Sequence, residues 1–286
     1  MVDADGFLWA DVSVEWGRKP EESWTFRRLL LPKAKFLPGR TLVLASTGGD
    51  TYFHWMTDVL PRIRLAQKAG YETQSFDRIL VNGFDQPFQK ETLARWGLAP
   101  ERCQKLPAQE GAWVYEEVVL PSLPGVPGVV SHETCEFLSA CFGASERKGA
   151  KKILIGRAGA KHRTWTHEEE VLTHLRSRGF VRVECSRLSV REQAEVFASA
   201  EVVVGAHGAA LTNLTFCRPG TRVVELFSPR YVNPCYRDLC VATGLRHAAV
   251  IGNGEDWIDS TRHDEPSAPI TASWALVKRV LDELDR

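Results

Sequence analysis

Residues 202–227, VVVGAHGAALTNLTFCRPGTRVVELF, decide how the chain folds. Three valines run into Gly205-Ala206-His207-Gly208. A stretch of small residues follows, and Cys217-Arg218-Pro219-Gly220 turns the chain into a second apolar run that carries Glu225. That order predicts strand, tight turn, helix, turn and strand, one βαβ unit with glycine in its first turn. Gly208, Ala209, Ala210 and Leu211 open the helix, and small side chains there let a ligand approach the backbone. The free N–H groups and dipole of a helix start favour an anion such as a phosphate. The segment has neither the dinucleotide G-x-G-x-x-G nor a P-loop lysine, so it is a phosphate-site candidate of another kind.

Elements alternate on both sides of this unit. Downstream, 234–243 reads as a helix ended by Gly244, and 246–251 as a strand. The last segment places Trp274, Val277, Leu281 and Leu284 on one helical face. Upstream, helices over 166–178 and 190–198 alternate with strands over 153–155 and 180–184. Thr166 with Glu169, and Ser189 with Glu192, have capping-box spacing. Alternation at this pace predicts right-handed crossovers and a largely parallel sheet.

Between 147 and 163 stand seven Lys or Arg and no acid, bracketing the strand 153–155 and the loop Gly156-Arg157-Ala158-Gly159. Such a run is either a solvated face or, just past a strand's C-terminal end, part of a ligand site. Arg157 and Arg163 are the candidates for a diphosphate, because the planar guanidinium matches phosphate oxygens. His207 either caps backbone groups in its turn or donates to the diphosphate. Asn213 either holds the turn together or touches the ligand. Glu225 either accepts ribose hydroxyls or pairs with Arg157 or Arg163.

The N-terminal half is less regular. Residues 1–40 suggest short strands and loops, and 41–45 a strand followed by the turn Ser46-Thr47-Gly48-Gly49-Asp50. In the next segment His54 and Asp58 are four apart, so on a helix they share one face, and Pro61 bends or ends that helix. The pair is either a half-buried histidine beside a solvated carboxylate or an acid–base group in which Asp58 is the base and His54 orients it. Strands follow at 76–81 and 113–120 and helices at 86–96 and 132–142, with 143–152 as a linker.

Composition narrows the function. The chain has 286 residues, 44% hydrophobic and 25% charged, with 36 basic and 36 acidic side chains. A net charge of zero argues against a nucleic-acid binder. No run is long and apolar enough to cross a membrane, and the N-terminus lacks the basic and apolar regions of a signal peptide. Seven scattered cysteines without C-x-x-C spacing suggest reduced thiols and a cytoplasmic setting. Asp256-Trp257-Ile258-Asp259 has the wrong spacing for a pair of metal carboxylates, and His162, His167 and His174 lack zinc-ligand spacing. Arginines plus a helix start can stabilise a departing diphosphate in a metal's place, so no metal or other cofactor is expected.

The segment GAHGAALTNLTFCRPGTRVVEL resembles the signature of glycosyltransferase family 61, G-x-H-G-A-x-L-x-N followed by P-G-T and a strand ending in Glu. Phe53-His54-Trp55 followed by Asp58 and Leu60-Pro61 is similar to a second family segment. One departure is His167-Glu168, where the family carries Asn-Glu. The resemblance implies a GT-B-like α/β fold of two Rossmann-like domains with a cleft between them. Residues 1–148 would carry acceptor and base, 149–270 would bind the donor, and the helix of 271–286 would cross back to the first domain. It implies an inverting glycosyltransferase that moves a sugar from a nucleotide-sugar donor to a glycan or glycolipid hydroxyl, in capsule or lipopolysaccharide synthesis. Asp58 and His54 would be catalytic. Arg157, Arg163, His207, Gly208, Ala209, Ala210, Leu211, Asn213 and Glu225 would bind the donor. A nucleotide-sugar epimerase or hydrolase, or a non-catalytic nucleotide-sugar-binding module, would fit the same architecture, and peripheral membrane contact is left open.

Overall fold

The computed structural model describes residues 33–106, 112–126, 128–143, 151–157, 162–253 and 266–285, with positions 3, 5, 7, 9 and 19–22. Most of the expected N-terminal strands, of the linker and of the polar loop at 252–270, together with Ala158 and Gly159, lie outside the described residues. The chain forms two compact units, Met1–Gly128 and Val129–Arg286.

The first unit is a four-stranded parallel sheet in the order β3-β2-β1-β4. β1 is Ala34–Val43, longer than the sequence suggests. Its first half pairs only with β4 (Ala112–Val119), and the register shifts between Leu37 and Arg40, where Pro38 and Gly39 interrupt it. Proline is tolerated there because a one-sided strand leaves its other edge free of ladder bonds. Past the shift, Thr41, Leu42 and Val43 also pair with Arg78, Ile79 and Leu80 of β2 (Arg78–Val81). β2 in turn pairs with β3, Cys103–Lys105.

The crossover from β1 to β2 carries the first candidate site. α1 (Tyr52–His54) widens into a π-helical turn, Trp55–Val59, and restarts as α2 (Pro61–Lys68) with Pro61 in its first turn. Pro61 has no N–H to give, and the preceding Leu60 N–H reaches back five residues to the Trp55 carbonyl at 3.0 Å. The wide turn is held from beneath. Trp55, Met56 and Val59 are buried, and the Trp55 indole donates to Thr92 Oγ1 on α3 (Pro87–Arg95) at 2.8 Å.

The second unit is a five-stranded parallel sheet in the order β6-β5-β7-β8-β9. In chain order its elements are α4 (His132–Phe142), β5 (Lys151–Ile155), α5 (Glu168–Ser177), β6 (Phe180–Val183), α6 (Val190–Ala198), β7 (Ala200–Ala206), β8 (Arg222–Phe227), α7 (Cys235–Thr243), β9 (Arg246–Ile251) and α8 (Trp274–Leu284). The chain runs from β5 outward to β6, then returns to β7 on the other side. β5 and β7 therefore flank the switch point, where open α/β sheets bind ligands beyond the strand C-termini. Val202, Val204 and Ala206 alternate onto one face, where they pack with Val171, Leu172 and Leu175 of α5 and Val277 and Leu281 of α8. Each such buried side chain contributes about 1.5–3 kcal/mol.

Four expectations change here. The division falls after Gly128 and not at 148, because α4 packs on α6, α7 and the segment after β7. The last helix joins this unit's own core, with Trp274 and Leu284 packed beside the buried Val277 and Leu281. The segment after β7, Ala209–Phe216, is a 3-10 helix instead of an α-helix. Its side chains compete for the backbone, as where Asn213 Nδ2 donates to the Ala210 carbonyl at 3.0 Å. The Ser189–Glu192 capping box forms, whereas α5 begins at His167 without a side-chain cap, its Glu169 drawn instead to Arg182 at 2.5 Å.

Candidate active site

In the first unit His54 and Asp58 meet as expected. His54 Nδ1 lies 2.6 Å from Asp58 Oδ2, and the Thr57 hydroxyl stands 3.2 Å from Asp58 Oδ1. The His54 side chain is 32% exposed and that of Asp58 12%, so the imidazole is the outer member and the carboxylate the inner one. Gly48, with φ at +75°, leaves the space the ring occupies: a Cβ there would stand 2.7 Å from His54 Cδ2. With Nδ1 donating to Asp58, the imidazole keeps Nε2 free of partners among the described residues. In such an arrangement the carboxylate fixes the tautomer of the histidine. Buried Arg62, which sequence reading passed over, braces the same edge by donating to the Ala45 carbonyl at 2.5 Å.

In the second unit Arg157 leaves the end of β5 and Arg163 the following loop, and both reach one atom. Arg157 NH1 donates to the His207 carbonyl at 3.3 Å and Arg163 Nε donates to it at 3.1 Å. Arg157 also donates to the His162 carbonyl at 2.5 Å, and Arg163 to that of Pro266 at 2.7 Å. Among the described residues neither guanidinium has a carboxylate partner, and Arg157 Nε is buried without a hydrogen bond. Burial, then the neighbouring Arg163, pushes the Arg157 guanidinium below its usual range, with Glu168 pulling the other way. Arg163 holds φ at +51°, a left-handed backbone that a non-glycine residue keeps only when its surroundings demand it. Its guanidinium lies 5.3 Å from the centre of the Tyr231 ring.

Glycine at 208 is what lets Arg157 lie there, since a Cβ at that position would stand 2.4 Å from Arg157 NH1. Ala209 is exposed and Ala210 half-buried beside it, whereas Leu211 and Asn213 are fully buried. Asn213 donates to Gln193 Oε1 of α6 at 2.7 Å, so it holds the turn to the scaffold. Glu225 meets neither arginine nor solvent. It is fully buried, with Oε1 2.6 Å from His207 Nδ1 and Oε2 2.8 Å from His247 Nε2. Both of its oxygens are occupied inside the core, so the ribose contact and the arginine pairing expected of it give way to an anchoring place behind His207.

One support was not read from the sequence. Glu168 Oε1 accepts the Arg157 backbone N–H at 3.0 Å and Arg182 at 2.8 Å, so the glutamate of the His167-Glu168 pair is the post that holds Arg157. His167 itself points to Glu170, 3.1 Å away. A D-x-D spacing also stands at Asp3 and Asp5, where Asp3 accepts the backbone N–H groups of Asp5 and Phe7 and the Trp9 indole.

These features define an α/β protein of two Rossmann-like units, one with an imidazole–carboxylate pair and the other with two arginines converging on one carbonyl at its switch point. The chain belongs to glycosyltransferase family 61, whose family model matches residues 52–224. That span holds both arginines, the dyad and His207, and stops one residue short of Glu225. Beta-1,2-xylosyltransferase RCN11 of Oryza sativa subsp. japonica is 41% identical over 65 residues, 23% of this chain and 12% of that relative's length. Among solved structures, the E. coli heptosyltransferase WaaC with ADP is similar at 10% identity and a TM-score of 0.43, over 87% of this chain and 100% of its own. The E. coli ADP-heptose lps heptosyltransferase II has 11% identity and a TM-score of 0.34, over 86% and 98%. No helix among the described residues is long and apolar enough to cross a membrane.

Proposed function

We propose that this chain transfers a sugar from a nucleotide-sugar donor to a hydroxyl of a glycan or glycolipid by a single inverting displacement, without a metal ion. The observation that carries the reading is the convergence of Arg157 and Arg163 on the His207 carbonyl, with no ion pair to a carboxylate from either guanidinium among the described residues. Two guanidiniums held side by side at a switch point suit an anion of two or more negative charges, which is what a departing nucleoside diphosphate is. Each charge-assisted hydrogen bond contributes roughly 1.5–3 kcal/mol, so several together can take a metal's electrostatic part. His207 adds an Nε2–H donor when its ring is doubly protonated against Glu225, and the N–H groups of Ala209 and Ala210 lie next in the chain.

A single displacement also needs one base, and the dyad supports that role. The exposures reverse the expected order within it. His54, the outer group, is proposed to take the proton of the attacking hydroxyl, and Asp58 to orient and stabilise the resulting imidazolium. Cysteines that form no disulfide among the described residues are compatible with a reducing, cytoplasmic setting for polysaccharide synthesis. The test is turnover of a panel of nucleotide sugars with and without glycan acceptors. Consumption that requires an acceptor supports the transferase, equal turnover without one indicates an epimerase or hydrolase, and binding without turnover indicates a non-catalytic module.

A further inference from the structure

Glu225 is shared by two histidines, and the transferase reading uses only one of them. His247 lies on β9, whose register aligns it with Val223 of β8, so its side chain falls on the same face as that of Glu225 two residues on. Its Nε2 is 2.8 Å from Glu225 Oε2, and the side chain is 10% exposed. Glu225 Oε1 receives His207 Nδ1 at 2.6 Å. A carboxylate of this kind can rock about its last bond, and each oxygen that accepts a fixed N–H removes that freedom. Three rings hold the other side of His207: Phe227 nearly parallel at 5.1 Å, Tyr236 at 5.2 Å and Tyr231 at 5.5 Å.

We propose that His247 is a positioning residue of the diphosphate site: by clamping Glu225, which accepts Nδ1–H, it fixes the ring of His207 so that the doubly protonated ring donates Nε2–H to the ligand. This rests on the diphosphate reading of Arg157 and Arg163. The charged and titratable groups around the cluster are those two arginines, whose guanidiniums bond the His207 carbonyl, with Tyr231, Tyr236, Cys235 and Cys240. None of the described contacts gives Glu225 another donor from this set, so His247 is what fixes the second oxygen.

The geometry supplies a selective test. A glutamine amide nitrogen can take the place of histidine Nε2, whereas an asparagine nitrogen takes the place of Nδ1 and falls short. His247→Gln and His247→Asn are therefore compared by calorimetric titration with uridine, guanosine, adenosine and cytidine diphosphates. The expected result is affinity within about 3-fold of the unaltered protein for H247Q and a loss of at least 10-fold for H247N. Labelled histidine nitrogens give a second reading, in which the His207 Nδ1–H stays hydrogen-bonded to Glu225 in H247Q and loses that bond in H247N. If the unaltered protein binds and both variants bind and report as it does, His247 is structural only and the proposal falls. If the unaltered protein binds none of the four, the diphosphate reading falls and takes this one with it.

Discussion

The replacement of Gly208 by alanine isolates the arginine site. At Gly208 φ is 168°, an extended backbone that alanine also adopts, so the change adds no backbone strain. What it adds is one methyl group 2.4 Å from Arg157 NH1, against the 3.4 Å of ordinary contact, so the guanidinium must retreat by about 1 Å. The bond from NH1 to the His207 carbonyl is already 3.3 Å long and does not survive that movement. Losing one charge-assisted contact to a bound diphosphate costs about 1.5–3 kcal/mol, which weakens binding roughly 10- to 150-fold. Calorimetric titration with a nucleoside diphosphate measures this directly. The methyl could also meet the ligand itself, and a double-mutant cycle separates the two causes. If Gly208→Ala acts through Arg157, it has no further effect once Arg157 is alanine. Unchanged affinity for G208A, or full additivity with R157A, would refute the reasoning.

Other consequences are independent of that cycle. Asp58→Asn and His54→Gln should each lower transfer by roughly 10²–10⁴-fold while leaving nucleoside diphosphate affinity unchanged, as single-turnover rates and titration would reveal. A thermal shift given by a nucleoside diphosphate should survive EDTA; its loss would return attention to a metal and to the Asp3–Asp5 spacing. Alkaline pH should destabilise the fold through its buried thiols, since burial pushes Cys185 and Cys240 to about 12 and raises Cys103, Cys135 and Cys235. The unfolded chain releases those protons first, so this stability is whole below about pH 9 and is lost as pH rises toward 12, at up to about 1.4 kcal/mol per unit for each thiol. Cys185→Ala should flatten the fall in melting temperature between pH 9 and 11, and an unaltered slope would contradict it.

The parallel sheet around 202–227 was legible because Val202, Val203 and Val204 form a short run of valines that ends on glycine, and Val223 and Val224 repeat the pattern after Pro219-Gly220. The convergence of Arg157, Arg163 and His207 followed from strand order, since all three lie just past strands that flank one switch point. The partner of Glu225 did not follow. His247 meets it only because β9 aligns with β8 in a particular register, which no local pattern encodes. β3 escaped notice because Cys103-Gln104-Lys105 is three residues long and mostly polar. The first half of β1 was hidden by Pro38 and Gly39, which read as a break and prove to be a register shift. Dyad spacing was visible in His54 and Asp58, but the order of the two groups depends on exposure, which the π-helical turn before Pro61 sets.

The most direct test of the account is calorimetric titration of the four nucleoside diphosphates into the unaltered protein and into an Arg157→Ala/Arg163→Ala variant of equal thermal stability. The account predicts that at least one of them binds the unaltered protein and that its affinity falls by 100-fold or more in the variant, about 2.7 kcal/mol or greater. Equal affinity in the two proteins would place the diphosphate elsewhere and contradict the assignment of this site.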